Sequence, residues 1–228
     1  MPGIYFSPST QEHNAGAIPN YIEENEMNQI ADIAIPLLQF NGFTVFRNDR
    51  TKGHVEAKNE SNILFKAGKI KVHFALHSNA GGGEGTVAFT SGSTSGRKLA
   101  ESIYNEVAPL SPSKDRGVLI PRLKYTEVFG TYAPATLIEV AFHDDKEDAK
   151  WIRANHQEIA EAICKGFCKY FGVAFKMPVP VAADVIAPEG FIYRVRAGAF
   201  GHKKYADEQV KRLQEKGFKD AYAKLEPK

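Results

Sequence analysis

The chain alternates between two periods of apolar residues. In KVHFALHSNA, Val72, Phe74 and Leu76 fall on one face and His73, Ala75 and His77 on the other, the period of a β-strand. GIYFSPS, FTVFRND and GTVAFTSG are shorter runs of the same kind. ATLIEVAF is almost wholly apolar, as a strand covered on both faces should be. Between the strands the period lengthens. In EENEMNQIADIAIPLLQFNG, residues Met27, Ile30, Ala31, Ala34, Leu37 and Leu38 form a helical stripe with Gly42 just past its end. Pro36 lies inside it and should kink it. TKGHVEAKNESNILFKAG reads as a weakly patterned helix, and SGRKLAESIYNEVAPL as a helix opened by a serine cap. One long helix is expected from about Glu147 to Phe171, with Trp151, Ile152, Ile159, Ile163 and Phe167 among its apolar positions.

This alternation predicts an α/β fold: a central mixed, mostly parallel sheet flanked by helices. The character changes after about residue 174. FKMPVPVAADVIAPEG has three prolines and almost no charge, and reads as an extended linker over 175–190. Residues 191–228 read as strand, helix (Ala206, Val210 and Leu213 on one side) and short strand, a small C-terminal βαβ module. So short a unit has little core of its own and must pack on something else.

Composition narrows the function. The 228 residues are 43% hydrophobic and 25% charged, with a formal net charge of +2. That is ordinary globular composition, and it argues against an electrostatic commitment to nucleic acid. No apolar run is long enough to span a membrane. MPGIYFSPST has neither a basic nor an apolar leader region, so no secretory signal is expected, and the protein is expected in the cytoplasm until something releases it. Cys164 and Cys168 share a helix face with Ile163, Phe167 and Phe171, and read as core thiols.

Candidate chemistry gathers at strand ends. After the first strand come Glu12 and His13; the first helix opens with Glu23, Glu24 and Glu26; the strand through Leu76 ends at His77 and runs into Asn79 and three glycines. Ends of strands in open α/β sheets are where sites form. Glu139 is an acid inside an apolar strand. Such a carboxylate costs several kcal/mol unless it is paired or functional. A salt bridge to Arg116 or Arg122 is one reading. A general base beside a metal is the other. Three ligands of His/Glu/His type with an open fourth position suit a catalytic Zn2+.

On these residues the chain resembles the zinc-dependent N-acetylmuramoyl-L-alanine amidases of the type-3 amidase family, over about residues 1–172. His77-Ser78-Asn79-Ala80 is similar to the family's HxNA metal-ligand motif. Pro134 to Phe142 is similar to the PAxLxExxF motif of its catalytic glutamate, which implies Glu139. The family's glutamate ligand opens the first long helix, often four residues before an asparagine. Glu24 with Asn28 fits that spacing better than Glu23 or Glu26 does. The remaining ligand is a histidine in a DPGHGGxDxGA-like loop. Here Thr10 stands at its place in Ser7 to Ala17, and His13 is the expected replacement, with Glu12 in reserve.

The resemblance thus implies a zinc amidase domain over 1–174, with Zn2+ held by His13, Glu24 and His77. It implies hydrolysis of the bond between N-acetylmuramic acid and the L-alanine of the peptidoglycan stem. The tail YRVRAGAFGHKKYADEQVKRLQEKGFKDAYAK resembles the first half of a SPOR domain, which binds glycan strands. A homodimer could complete its sheet, and its basic residues suit an anionic wall. A phage endolysin released to the wall and a sporulation mother-cell autolysin both fit this outline, as does a non-catalytic wall-binding scaffold. His54, His156 and His202 are expected to be solvated. His73 is expected as a partner of His77 or as core. His143 is a candidate for the cleft wall.

Overall fold

In the computed structural model, residues 1–113, 115–178 and 203–215 are described. The chain divides into two units, Met1–Val179 and Pro180–Lys228. The first unit holds strands β1 (Gly3–Pro8), β2 (Thr44–Arg47), β3 (Val72–Asn79), β4 (Val87–Thr90), β5 (Val118–Leu119) and β6 (Ala135–Phe142). Its helices are α1 (Glu23–Phe40), α2 (His54–Lys66), α3 (Thr94–Val107), α4 (Thr126–Phe129), α5 (Lys146–Ala154) and α6 (His156–Phe171). The second unit contributes α7 (Lys203–Glu215). The strands expected beside α7, and the linker from residue 179 on, lie outside the described residues. No helix among the described residues is long and apolar enough to cross a membrane.

The six strands form one sheet in the order β2-β1-β3-β6-β4-β5. All pairings are parallel except β4 with β6, which is antiparallel. The expected mixed, mostly parallel sheet flanked by helices is therefore present. The two faces are unequal. On one, Ile4, Phe6, Val72, Phe74, Leu76 and Ile138 merge with the apolar stripes of α1, α3 and α6 into the main core. On the other, two small clusters centre on Tyr5 with Ala57, and on Ala75 with Val128 and Leu137. That second face carries buried His73 and Ala75 and, at its end, part-exposed His77, so β3 is covered on both sides.

Local chemistry explains the boundaries. Ser93 caps α3, accepting from the Gly96 amide at 3.2 Å. Asp145 caps α5, accepting from Glu147 and Asp148 at 2.9 Å each. The single long helix expected from Glu147 to Phe171 is two helices, broken at Asn155. Asn155 has φ −124° and ψ 28°, outside helical values, and its side-chain amide donates to the Trp151 carbonyl at 2.7 Å. By contrast, α1 runs on through Pro36 to Phe40. Helices α3 and α6 cross closely at Gly166, where an added Cβ would lie 2.5 Å from the Cα of Ile103. Cys164 and Cys168 are free thiols in the core.

Candidate active site

The pairing of β3 with β6 sets His77 directly opposite Glu139, at the C-terminal end of the parallel strands. Both belong to the thinly covered face. The register shifts between His77 and Asn79, the mark of a bulge, so that Asn79 pairs with Phe142. Beyond it the glycine run turns back over the strand end. Gly81 and Gly82 adopt φ of 121° and 76°, and their amides donate to Asp144 Oδ2 at 2.7 and 2.8 Å. The Gly85 amide donates to buried Asp148 at 2.7 Å.

Two carboxylates flank His77. Its Nδ1 donates to Glu23 Oε1 at 2.8 Å, and its Nε2 lies 4.0 Å from Glu127 Oε2. Glu127 also accepts from Nε2 of buried His73 at 3.1 Å, and His73 stacks on Tyr5. Burial opposes a charge on His77, but Glu127 and Glu23 outweigh it and hold the imidazole well above its ordinary value. The same balance acts on Glu127: burial raises its pKa, His73 and His77 lower it, and the outcome is about 2.

Glu23 is fully buried and saturated with donors. Besides His77, it accepts from the Ser78 amide at 3.3 Å and from Asn14 Nδ2 at 2.6 Å. The directions of the bonds behind it can be deduced. Asn14 Oδ1 only accepts, so His143 Nε2 donates to it, at 3.2 Å. His143 Nδ1 then accepts from Ser78 Oγ at 2.9 Å, and Ser78 in turn accepts from Tyr21 at 3.2 Å. Every donor in the chain Tyr21–Ser78–His143–Asn14 points toward Glu23. His143 is thus buried in this support, stacked on Tyr21, rather than on a cleft wall.

Glu139 is 8% exposed, and its Oε2 has no hydrogen-bond partner among the described residues. No arginine pairs with it there; Arg116 lies over the ring of Phe142 instead. Burial pushes the Glu139 carboxyl up to about 7, with His77 opposing and Glu23 adding to the rise. A buried acid with an unsatisfied oxygen at the mouth of a parallel sheet is a candidate proton acceptor.

The other expected site residues sit differently. Glu24 turns the opposite way along α1 and pairs with Arg50 at 3.0 Å. The carboxylate facing His77 is that of Glu23. The reason is the helix stripe: Glu23 lies four residues before buried Met27, on the sheet-facing side, and Glu24 lies one step round. His13 is 93% exposed, with Nε2 3.5 Å from Glu12, and neither reaches His77. The loop side chain that does is Gln11, whose Nε2 is 3.5 Å from His77 Nδ1. Residues Thr10 to Asn14 line an open hollow of about 520 Å³. His156, expected in solvent, is 14% exposed and bonds Glu26 at 2.8 Å. Among the described residues no three His, Cys, Asp or Glu side chains converge on one metal position. The donor pair that does meet, a carboxylate and an imidazole, is of the kind a divalent zinc takes. His77 also directs its second ring nitrogen toward a carboxylate, an arrangement usual for metal-bound histidine.

Gln11, Asn14, Glu23 and Glu127 were not singled out by the sequence for these places. Only Glu23 carried a signal, its spacing from Met27. Glu127 lies in a four-residue helix with no periodicity to read.

Solved structures with this fold include the catalytic domain of CwlV, an N-acetylmuramoyl-L-alanine amidase from Bacillus (Paenibacillus) polymyxa var. colistinus. At 20% identity it has a TM-score of 0.65, over 76% of this chain and 100% of that one. AmiC2 of Nostoc punctiforme, also an N-acetylmuramoyl-L-alanine amidase, gives 21% and 0.63 over 75% and 97%. The catalytic domain of the CD27L endolysin, targeting Clostridia difficile, gives 21% and 0.60 over 74% and 98%. No curated sequence matches the chain. The Amidase_3 family model, described as N-acetylmuramoyl-L-alanine amidase, matches residues 4–169, and the chain belongs to that family.

Proposed function

We propose that this chain is a zinc-dependent peptidoglycan hydrolase that cleaves the amide bond between N-acetylmuramic acid and the stem L-alanine. The observation that carries the reading is the Glu139 carboxylate. It is buried, it has an oxygen without a partner among the described residues, and it lies opposite His77 at the open end of the sheet. Glu23 and His77 would hold the metal. When bound, zinc supplies a Lewis acid that acidifies water and polarises the scissile carbonyl.

The chain's own residues do the rest. Glu139 accepts a proton from the attacking water and delivers it to the departing L-alanine nitrogen. Glu127, beside the far nitrogen of His77, orients that imidazole. The donors ending at Asn14 fix the Glu23 carboxylate.

Glu139→Gln tests this. Assayed on a soluble muramoyl-peptide by mass spectrometry, it should lose on the order of 10²–10⁴-fold in rate, the usual scale of general acid–base catalysis. Its zinc content should stay unchanged. Full activity in this variant would remove Glu139 from the mechanism.

The biological setting belongs to the same proposal: an endolysin-type lytic enzyme with a SPOR-like tail that engages the wall, alone or through a homodimer. A sporulation autolysin is the neighbouring alternative. A non-catalytic wall-binding scaffold has one specific observation in its favour, Thr10 at the place of the family's first histidine. Stoichiometric zinc together with turnover would exclude it.

A further inference from the structure

Among the described residues no third ligand of the expected kind meets Glu23 and His77, and the geometry points to a substitute. We propose that the side-chain amide oxygen of Gln11 is the third protein ligand of the metal, in place of the absent histidine. This rests on the zinc reading above.

Three side chains approach His77 from its Nδ1 side or from the far side of its ring, and they sort cleanly. Glu23 Oε1 and the Gln11 amide both meet Nδ1, at 2.8 and 3.5 Å. Glu127 stands instead by Nε2. A carboxylate, an imidazole nitrogen and an amide thus share one point. The amide nitrogen of Gln11 faces the ring. Rotation by 180° about the last side-chain bond exchanges it for the oxygen, since the two ends are alike in shape. The exchange gives up the 3.5 Å contact in which Gln11 Oε1 accepts from Asn14 Nδ2, and turns an oxygen lone pair toward the point that Glu23 and His77 Nδ1 share.

The loop is built to hold Gln11 there. Its amide N–H donates to Ser9 Oγ at 3.2 Å, and its carbonyl accepts from Asn14 at 3.2 Å. Asn28 pins the Ser9 carbonyl at 3.0 Å, and the Glu23 amide pins that of Asn14 at 2.9 Å. Bringing His13 inward would break this turn. His13 and Glu12 instead point into solvent, with side chains 93% and 72% exposed.

Replacing imidazole by a neutral amide oxygen leaves one nitrogen and two oxygen donors. Such a set binds zinc more weakly than His/Glu/His does, because zinc favours nitrogen and sulfur donors over carbonyl oxygen.

The test is zinc titration of the full metal-free chain in competition with a chromophoric chelator. Thermal unfolding run alongside checks that each variant is folded. The wild type should bind one zinc. Gln11→Ala should bind at least about tenfold more weakly, the least that even groups outside the ligand shell contribute. Gln11→His should bind more tightly than wild type, and should change the Co2+ absorption spectrum as a nitrogen replaces an oxygen. His13→Ala and Glu12→Ala should match wild type. If Gln11→Ala binds zinc as wild type does, or if His13→Ala is the variant that loses it, the inference is wrong and the zinc reading survives. If the wild type binds no zinc, the zinc reading fails and takes this inference with it.

Discussion

Glu23 and Glu24 are adjacent acids at the start of one helix, and the fold gives them opposite tasks. Glu23 points to His77 at the end of β3, and Glu24 points instead to Arg50. The account therefore predicts unequal variants. Glu23→Gln should lose zinc and with it most turnover, measured as metal content after gel filtration. Glu24→Gln should keep both, and should cost about 1–3 kcal/mol in stability, the scale of leaving a largely buried partner unsatisfied. Equal zinc loss in the two would contradict the geometry. The residue scale is also where the sequence was least informative. His77 and Glu139 were legible because each breaks a strong pattern, a strand that ends in polar residues and an acid inside an apolar run. The choice between Glu23 and Glu24 needed helix phase to one residue, and an asparagine spacing competed with the stripe. Gln11 could not be found, because only the folded loop brings it to His77.

At the scale of elements, α1 is held to the junction of α5 and α6 by one buried carboxylate. Glu26 accepts from Arg153 at 2.7 Å and from His156 at 2.8 Å. Burial works against ionisation of Glu26, but the bonds from His156 and Arg153 outweigh it, so its folded-state pKa lies below the ordinary 4.5. The unfolded chain then takes up that proton first. The contribution of Glu26 is fully present above about pH 4.5 and is lost as pH falls through the lower folded value. Denaturant unfolding at pH 7 and at successively lower pH should show this loss. Glu26→Gln should flatten that part of the profile and destabilise the protein at pH 7 by about 1–3 kcal/mol. An unchanged profile would remove the clamp from the account.

The crossing of α3 and α6 gives a second element-scale prediction. Gly166→Ala would put a methyl 2.8 Å from the Ser102 carbonyl and 2.5 Å from the Ile103 Cα, both backbone atoms that cannot swing away. The helices must separate, at about 1–3 kcal/mol, readable as a fall in the unfolding midpoint. The elements themselves were mostly legible from periodicity. The exceptions have physical reasons. Asn155 breaks the last long helix by bonding its own backbone, a feature that apolar spacing does not record. The two-residue β5 and the four-residue α4 are too short to carry a period. The covering of both faces of β3 was hidden by its histidines, which look like a solvent face, although His73 is fully buried and His77 is only 14% exposed.

For the whole molecule, the alternation of strands and helices was enough to anticipate the sheet, and motif order was enough to suggest the family. Neither could say which loop atoms complete the site, since that depends on contacts between β1, α1, β3 and β6 far apart in sequence. The central claim concerns this unit as a whole: it hydrolyses one particular amide of the wall. The most direct measurement uses purified sacculi incubated with the protein, with and without a zinc chelator, followed by labelling of newly freed amino termini. The account predicts chelator-sensitive release of N-terminal L-alanine with no new reducing ends. Release of a different amino terminus, or no release from walls of several chemotypes, would contradict it.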